Sequence, residues 1–186
     1  MEITVYKPTA TLRRAFLAML DDYRLHDPET GEFYASARSN FDAYVQSSLN
    51  HESGFDLHPR FVPCSHRWLV QKDKTEDKTI VGIVRVRHNL DTPFMETQAG
   101  HIGYEVPPSQ RKRGYGIESL KAGLTVAWEI GLERVLLCAD AKNPASWRTI
   151  EHCGGMLERD FWSDHHQCLV RRYWIEKPTS LNSGVS

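Results

Sequence analysis

The sequence has no long apolar run, no clustered cysteines and no excess of charge of either sign. No apolar run approaches the roughly 18 residues of a membrane-spanning helix, so neither a transmembrane segment nor a membrane partner is expected. The four cysteines form no C-x-x-C pair, and the first ten residues have no basic region followed by an apolar one. These absences predict a cytoplasmic protein with reduced thiols.

Several ligand classes are also excluded. The 23 Lys/Arg and 24 Asp/Glu residues leave a formal net charge of −1, so no nucleic-acid partner is expected. The sequence has neither G-x-G-x-x-G, because Ser119 stands three residues after Gly116, nor G-x-x-x-x-G-K-[ST]. This excludes a Rossmann fingerprint and a Walker loop. The H-H-x-C pattern at 165–168 matches no standard zinc spacing, so no metal is expected.

What the chain does have is the composition of an ordinary globular protein. Its 186 residues are 40% hydrophobic and 25% charged, which suits one domain with its own core. We expect a single domain over residues 1–186 with its core at about 67–175. An N-terminal strand and helices at 1–66 precede that core, and a flexible tail at 177–186 follows it.

Hydrophobic periodicity predicts a mixed order of strands and helices. In the first third it predicts a strand near 3–5, a helix over about 12–23, a loop at Pro28 and Gly31, a helix over about 41–49 capped by Ser39, and an irregular connection at 51–66. Further on it predicts a hairpin (68–70 and 80–87), a loop (88–98), a strand (101–106), a helix (114–130), a buried strand (135–139), a helix opened by Asn143-Pro144, and two strands (157–163 and 168–175). The unit near 100–139 is expected to be a parallel, right-handed crossover.

The segment with the clearest chemistry is Gln110-Arg111-Lys112-Arg113-Gly114-Tyr115-Gly116. It follows a predicted strand and opens a predicted helix. Glycines allow a tight turn, and a helix N-terminus presents free N–H groups and a positive dipole end. With three adjacent cations, these features predict an anion site suited to a pyrophosphate. The alternative is a basic turn that only caps a surface helix.

Three parts of the sequence resemble the GNAT superfamily of N-acetyltransferases. The first is Val106-x-Pro108-x-x-Arg111-x-x-Gly114-x-Gly116, and the second is Asn143-Pro-Ala-Ser146 followed by Ile150-Glu151-x-x-Gly154-Gly155. The third, Arg87-His88 with Gly100-His101-Ile102-Gly103-Tyr104, resembles a bacterial subgroup of predicted acetyltransferases. The resemblance covers about residues 67–175.

The resemblance implies a mixed α+β fold and a reaction. The fold is a twisted mixed sheet of six or seven strands flanked by helices, in which the strands at about 100–106 and 134–139 lie parallel and splay apart. Acetyl-CoA enters this opening. The reaction moves an acetyl group from acetyl-CoA to a primary amine by direct attack in a ternary complex. Superfamily members are often dimers, so a homodimer is also among the implied partners.

The resemblance further assigns residues to acetyl-CoA. Backbone groups near Tyr104 and Val106 are expected to meet the pantetheine arm, as are Asn143 and Ser146. The pyrophosphate is expected at the loop residues Arg111, Lys112, Arg113, Gly114, Tyr115 and Gly116. Asn143 before Pro144 is equally well explained as a helix cap.

For the chemical step, Glu105 and His101 are the candidate bases, because positions 101, 103 and 105 share one face of a strand. Each also has a purely structural alternative: Glu105 as a surface or cross-strand charge, and His101 as a hydrogen-bonded histidine. The backbone N–H of Val106 is the expected oxyanion donor.

The sequence departs from the superfamily pattern at one position. Ile150 stands where many members have a tyrosine acid, so no acid is assigned. A non-catalytic acyl-CoA-binding module, or an interaction domain with a phosphate-binding helix terminus, therefore remains an alternative. The amine acceptor is not identified. Residues 1–60 hold six Lys/Arg and nine Asp/Glu, and this acidic excess suits a cationic one.

Overall fold

The computed structural model describes residues 2–55, 57–59, 61–72 and 77–179. Within them lie two antiparallel sheets, of strand order β1-β2-β3-β4 and β5-β7-β6. The strands are β1 (Ile3–Tyr6), β2 (Cys64–Lys72), β3 (Lys78–Arg87), β4 (Ile102–Glu105), β5 (Arg134–Asp140), β6 (Met156–Ser163) and β7 (Cys168–Glu176). The mixed α+β class is confirmed.

Six α-helices flank these sheets within the described residues. They are α1 (Arg13–His26), α2 (Pro28–Glu32), α3 (Ala35–Ser39), α4 (Phe41–Glu52), α5 (Tyr115–Glu129) and α6 (Pro144–His152). The four helices predicted from periodicity correspond to α1, α4, α5 and α6. None of the described helices is long and apolar enough to cross a membrane.

The N-terminal third differs from the prediction in two places. The predicted loop at Pro28 and Gly31 is instead α2 and α3, and α2 begins where Asp27 accepts a hydrogen bond from the Thr30 N–H at 3.3 Å. The N-cap of α4 is Asn40 rather than Ser39, because the extended backbone of Asn40 lets its side chain accept from the Ala43 N–H at 3.1 Å.

Two predicted loops are shorter than expected. The irregular connection at 51–66 shrinks because α4 runs to Glu52 and β2 already begins at Cys64, opposite Arg87 of β3. The loop at 88–98 contains most of a π-helical turn, Met95–Ala99. The hairpin tip at 73–76 and the tail from 180 lie outside the described residues.

The sheet is divided between β4 and β5. Outside the ladders, Gly100 bridges Leu137, the His101 N–H donates to the Leu136 carbonyl at 2.7 Å, and the His101 Nδ1 accepts from the Leu136 N–H at 2.9 Å. The sheet is thus divided where the two strands were expected to splay apart, and the pairing within each of the two sheets is antiparallel. The reason is local: the His101 side chain occupies a backbone donor of β5 that a continuing ladder would need.

Two hydrophobic clusters cover the two faces of the first sheet. Phe16 of α1 packs on Trp68 of β2 with ring centroids 4.7 Å apart, in the cluster that contains Ile83. Val84 belongs to the opposite cluster, beneath α5. Because side chains alternate along a strand, Arg85 lies on the Ile83 face, toward the N-terminal helices.

Candidate functional site

The loop between β4 and α5 turns at Gly114. This residue has a left-handed backbone (φ 84°) and is the N-cap of α5, and no side chain caps the helix. A Cβ at Gly114 would meet no atom of the described residues within 4 Å. The space beside the start of α5 is thus open at Gly114, and its first N–H groups have no side-chain cap, as an anion site requires.

The three cations of this loop have different roles. Arg111 donates to the carboxylate of Asp27 at 2.5 Å and to the Val106 carbonyl at 3.2 Å, and this contact lowers the pKa of Asp27. Arg111 thus fastens the loop to the N-terminal helices. All three side chains are exposed, but among the described residues only Arg111 of the three pairs with a carboxylate.

Beside the loop, β4 meets α6. The Tyr104 hydroxyl lies 3.1 Å from the Ser146 carbonyl, to which it donates, and 3.3 Å from the Ser146 hydroxyl. Asn143 caps α6 by accepting from the Ser146 N–H at 3.1 Å. A Cβ at Gly116 would lie 3.9 Å from the Tyr104 ring. The structure thus brings Tyr104, Gly116, Asn143 and Ser146 together.

Two residues near this group face the core instead. The Tyr115 hydroxyl donates to the side chain of Gln71 at 2.5 Å, so only its backbone borders the loop. Ile150 is buried in the cluster beneath α5. The position that the resemblance associates with a tyrosine acid is therefore a core position in this chain.

The opposite face of β4 borders a cavity of about 950 Å³. It lies between the N-terminal helices, the ends of β3 and β5, and the turn between β6 and β7. Polar and charged side chains in its wall include Tyr34, His66, Arg85, Arg87, Glu105 and Asp140. His101 is not among the lining residues.

Glu105 is bound by two neighbours in this wall. Both Nη atoms of Arg85 donate to its carboxylate, and so does the Tyr34 hydroxyl. Arg85 also donates to Tyr34 at 3.0 Å. Two of these hydrogen bonds go to Oε2 and one to Oε1, so Oε1 keeps a lone pair that can accept a proton from a ligand.

The electrostatics of the network follow from burial and pairing. Burial raises the pKa of Tyr34 well above its ordinary value. Burial by itself would lower the pKa of Arg85, but Tyr34 and Glu105 outweigh it and raise that pKa. Tyr34 thus remains a hydroxyl donor and Arg85 a cation at neutral pH.

His101 lies away from this cavity. It is 7% exposed, its Nδ1 accepts from Leu136, and burial lowers its pKa to about 4. A histidine with its Nδ1 lone pair already bonded serves to join the two sheets. This position supports the structural alternative for His101 rather than the expectation of a base.

Sequence reasoning missed Tyr34 altogether, because it was placed in a loop with no periodic signal. For Arg85 and Arg87 the sequence left two interpretations, a strand that borders the acceptor cleft of the resembled fold or alternating charges on an exposed strand face. In the structure both line the cavity and neither is exposed. Only their position in the sheet, opposite His66 and Cys64 of β2, places them there.

The described residues of this cavity do not favour a reactive thiol or a metal site. Burial raises the pKa of the Cys138 thiol to about 11, which leaves little thiolate at neutral pH. Within the part of the chain that the structure describes, no group of three or more His, Cys, Asp or Glu residues is placed to hold a metal ion.

Several solved structures that share this fold are acetyltransferases. The microcin self-immunity acetyltransferase MccE, in complex with acetyl-CoA and AMP, has a TM-score of 0.65 at 14% identity, over 95% of this chain and 93% of that one. The ribosomal-protein α-N-acetyltransferase RimL, in complex with coenzyme A, has a TM-score of 0.66 at 15% identity, over 94% and 93%. A spermidine N-acetyltransferase from Vibrio cholerae has a TM-score of 0.53 at 15% identity, over 96% and 98%.

The family follows from the sequence itself. A family model described as an acetyltransferase (GNAT) domain matches residues 10–156. The chain therefore belongs to the GNAT acetyltransferase family. A search of curated protein sequences gave no match.

Proposed function

We propose that the protein transfers an acetyl group from acetyl-CoA to a primary amine. The observation that carries this proposal is the placement of two sites on either side of β4. The uncapped, positively charged start of α5 lies on one side, and the polar cavity around Glu105 lies on the other. Two substrates can thus approach one strand from opposite faces.

The residues present fit acetyl-CoA. The open space at Gly114 and the uncapped N–H groups of α5 suit a pyrophosphate, and Lys112 and Arg113 add charge for further phosphates. We propose that the pantetheine arm lies along Tyr104 and Val106, with Asn143 and Ser146 beside it. Arg111 acts indirectly, because its contact with Asp27 holds the loop in place.

Acetyl-CoA supplies the acyl group: the amine nitrogen forms an N–C bond as the thioester C–S bond breaks and the amine loses a proton. We assign that proton to Glu105, directly or through a water, since His101 is bonded to Leu136. The Val106 N–H stabilises the oxyanion. A thiol of pKa about 8.5 leaves without an acid, so none is assigned.

Acetyl-CoA is expected to raise the melting temperature of the purified protein. At 100 times its Kd a ligand adds about 2.7 kcal/mol, or roughly 5–10 °C for a chain of this size. Free thiol should then appear only when an amine is added. The measurement is a thermal shift followed by a thiol-release assay over amines, amino acids and peptides. No shift would overturn the proposal, and a shift without release would favour a non-catalytic acyl-CoA-binding protein.

Reversing the charge of Lys112 is expected to weaken acetyl-CoA binding. Lys112→Glu removes one exposed cation from the start of α5 and should raise the Kd about 10-fold at low salt, with a smaller effect at high salt. Arg159→Glu makes the same charge change on β6, outside the loop, and is the matched control. Equal Kd values of the two variants for acetyl-CoA, measured by calorimetry, would show that its phosphates do not bind at the start of α5.

A further inference from the structure

Arg87 is a cation of the cavity wall that has no carboxylate partner in the described part of the chain. Its Nη1 donates to the backbone carbonyls of Gly100 and Ala99 at 3.0 and 3.4 Å. Among the residues that the structure describes, no carboxylate oxygen lies within 4.0 Å of its guanidinium. Its neighbour Arg85 is compensated by Glu105, so the charge of Arg87 is in excess in this part of the wall.

The two guanidinium groups lie together over Gly103 of β4. Gly103 pairs with Arg85 in the sheet, and a Cβ there would lie 3.8 Å from the Arg85 Nη2 and 3.8 Å from both Nη atoms of Arg87. Both arginines also line the cavity. Two neighbouring guanidinium groups in a cavity wall present donors suited to a carboxylate or phosphate.

The rest of the wall does not compensate Arg87. Burial lowers the pKa of His66 to about 3, so this histidine is neutral, and its buried Nε2 has no hydrogen-bond partner in the described part of the chain. Asp140 accepts from the Lys142 N–H at 2.8 Å. Burial, together with Arg85, lowers the pKa of Arg87 itself, which a bound anion would reverse.

Four of the nine acidic residues of the N-terminal third are engaged elsewhere. Asp21 pairs with Arg38, Asp27 with Arg111, Asp22 accepts from the Ser109 N–H, and Glu52 pairs with Lys7 and Arg67. None of these four carboxylates is among the residues that line the cavity. These four therefore add no negative charge to the cavity wall.

We infer that the amine acceptor carries an anionic group, a carboxylate or a phosphate, which Arg87 binds beside Gly103. This inference rests on the proposed acetyl transfer and names the substrate class of the same site. The anion makes charge-assisted hydrogen bonds to Arg87, while the amine of the same molecule lies toward Glu105. Polyamines and other amines without an anionic group are then poor acceptors.

Matched amine pairs test the acceptor class. Tyrosine and tyramine differ by a carboxylate, and phosphoethanolamine and ethanolamine differ by a phosphate. At least one anionic amine should have a kcat/KM roughly 10- to 100-fold above that of its partner without the anionic group, the effect of a charge-assisted hydrogen bond. The two pairs distinguish a carboxylate from a phosphate. Equal or better turnover of tyramine, ethanolamine or spermidine would overturn the inference.

Anion binding can be measured without turnover. With the protein saturated with coenzyme A, inorganic phosphate or acetate at constant ionic strength should raise the melting temperature, and Arg87→Met should weaken that binding at least 10-fold. Arg87→Lys should retain part of it, and Arg159→Met, which removes an equal charge from β6, should retain all of it. If neither anion binds the wild-type protein, the inference fails.

The two proposals fail in different ways. If acetyl-CoA does not raise the melting temperature of the wild-type protein, the proposed function is overturned. An intact acetyl-CoA shift without preference for anionic amines would overturn only the role of Arg87. An Arg87→Met variant that still binds coenzyme A is folded, so its loss of anion binding is attributable to the side chain. If that variant does not fold, the kcat/KM ratios of the two amine pairs, measured with the wild-type protein, test the inference instead.

Discussion

Replacing Gly100 with alanine is expected to destabilise the protein by roughly 3–5 kcal/mol, from backbone strain and overpacking together. Gly100 has a φ of 67°, and its added Cβ would lie 2.5 Å from the Leu136 carbonyl oxygen and 3.2 Å from the Leu137 Cα. These are backbone atoms of a buried strand, so they cannot rotate away. The new methyl group would push β5 from the first sheet and disturb the His101 contacts.

Gly131→Ala is the control for this substitution. Gly131 also has a positive φ, 90°, but a Cβ there would meet no atom of the described residues within 4 Å. Gly131→Ala should therefore lower the free energy of unfolding only by the strain of the left-handed backbone, about 1–2 kcal/mol. The free energy of unfolding from urea titrations measures both. Equal losses would show that the close approach of Gly100 to β5 is not a constraint on the fold.

Glu105→Ala is expected to destabilise the protein by about 3 kcal/mol, the lower end for breaking a buried ion pair. The lower end applies because the side chains of Arg85 and Glu105 are 25% and 22% exposed. Without Glu105, the Arg85 charge remains partly buried and uncompensated. Adding Arg85→Met to the Glu105→Ala variant should therefore lower the free energy of unfolding little further, or restore part of it. A double-mutant cycle measures this coupling, and additive losses would contradict it.

The catalytic assignment of Glu105 is tested separately, by a variant that keeps its shape. Glu105→Gln retains hydrogen-bonding oxygen and nitrogen atoms but loses the charge that accepts a proton. If Glu105 receives the proton of the amine, kcat should fall roughly 10²- to 10⁴-fold while acetyl-CoA binding is unchanged. A variant with near-normal kcat would leave Glu105 only its place in the network with Arg85 and Tyr34.

Local features of the sequence were sufficient for much of the fold. The helix that begins after Gly114 and the helix capped by Asn143 follow from glycine and capping chemistry within a few residues. The buried strand at 135–139 follows from a continuous apolar run. These signals depend on near neighbours in the chain, so no tertiary information was needed.

The errors fell where distant segments meet. The loop predicted at Pro28 and Gly31 is two short helices, which pack against α1 and α4. The division of the sheet between β4 and β5 agrees with the expected splay, but the contact across it was not predicted: the His101 side chain bonds to Leu136, 35 residues away. Nothing near His101 in the sequence distinguishes this role from that of a base, because the partner is a backbone N–H of another strand.

By itself, the sequence determined the α+β class, the basic loop at the start of α5 and the family. Only the tertiary structure decided the environment of the acceptor cavity. Glu105 meets Tyr34, 71 residues away, and Arg85, 20 residues away, while Arg87 has no carboxylate partner among the described residues. The physical reason is that strand register and helix packing determine which charges become neighbours, and neither is encoded in the spacing of residues along the chain.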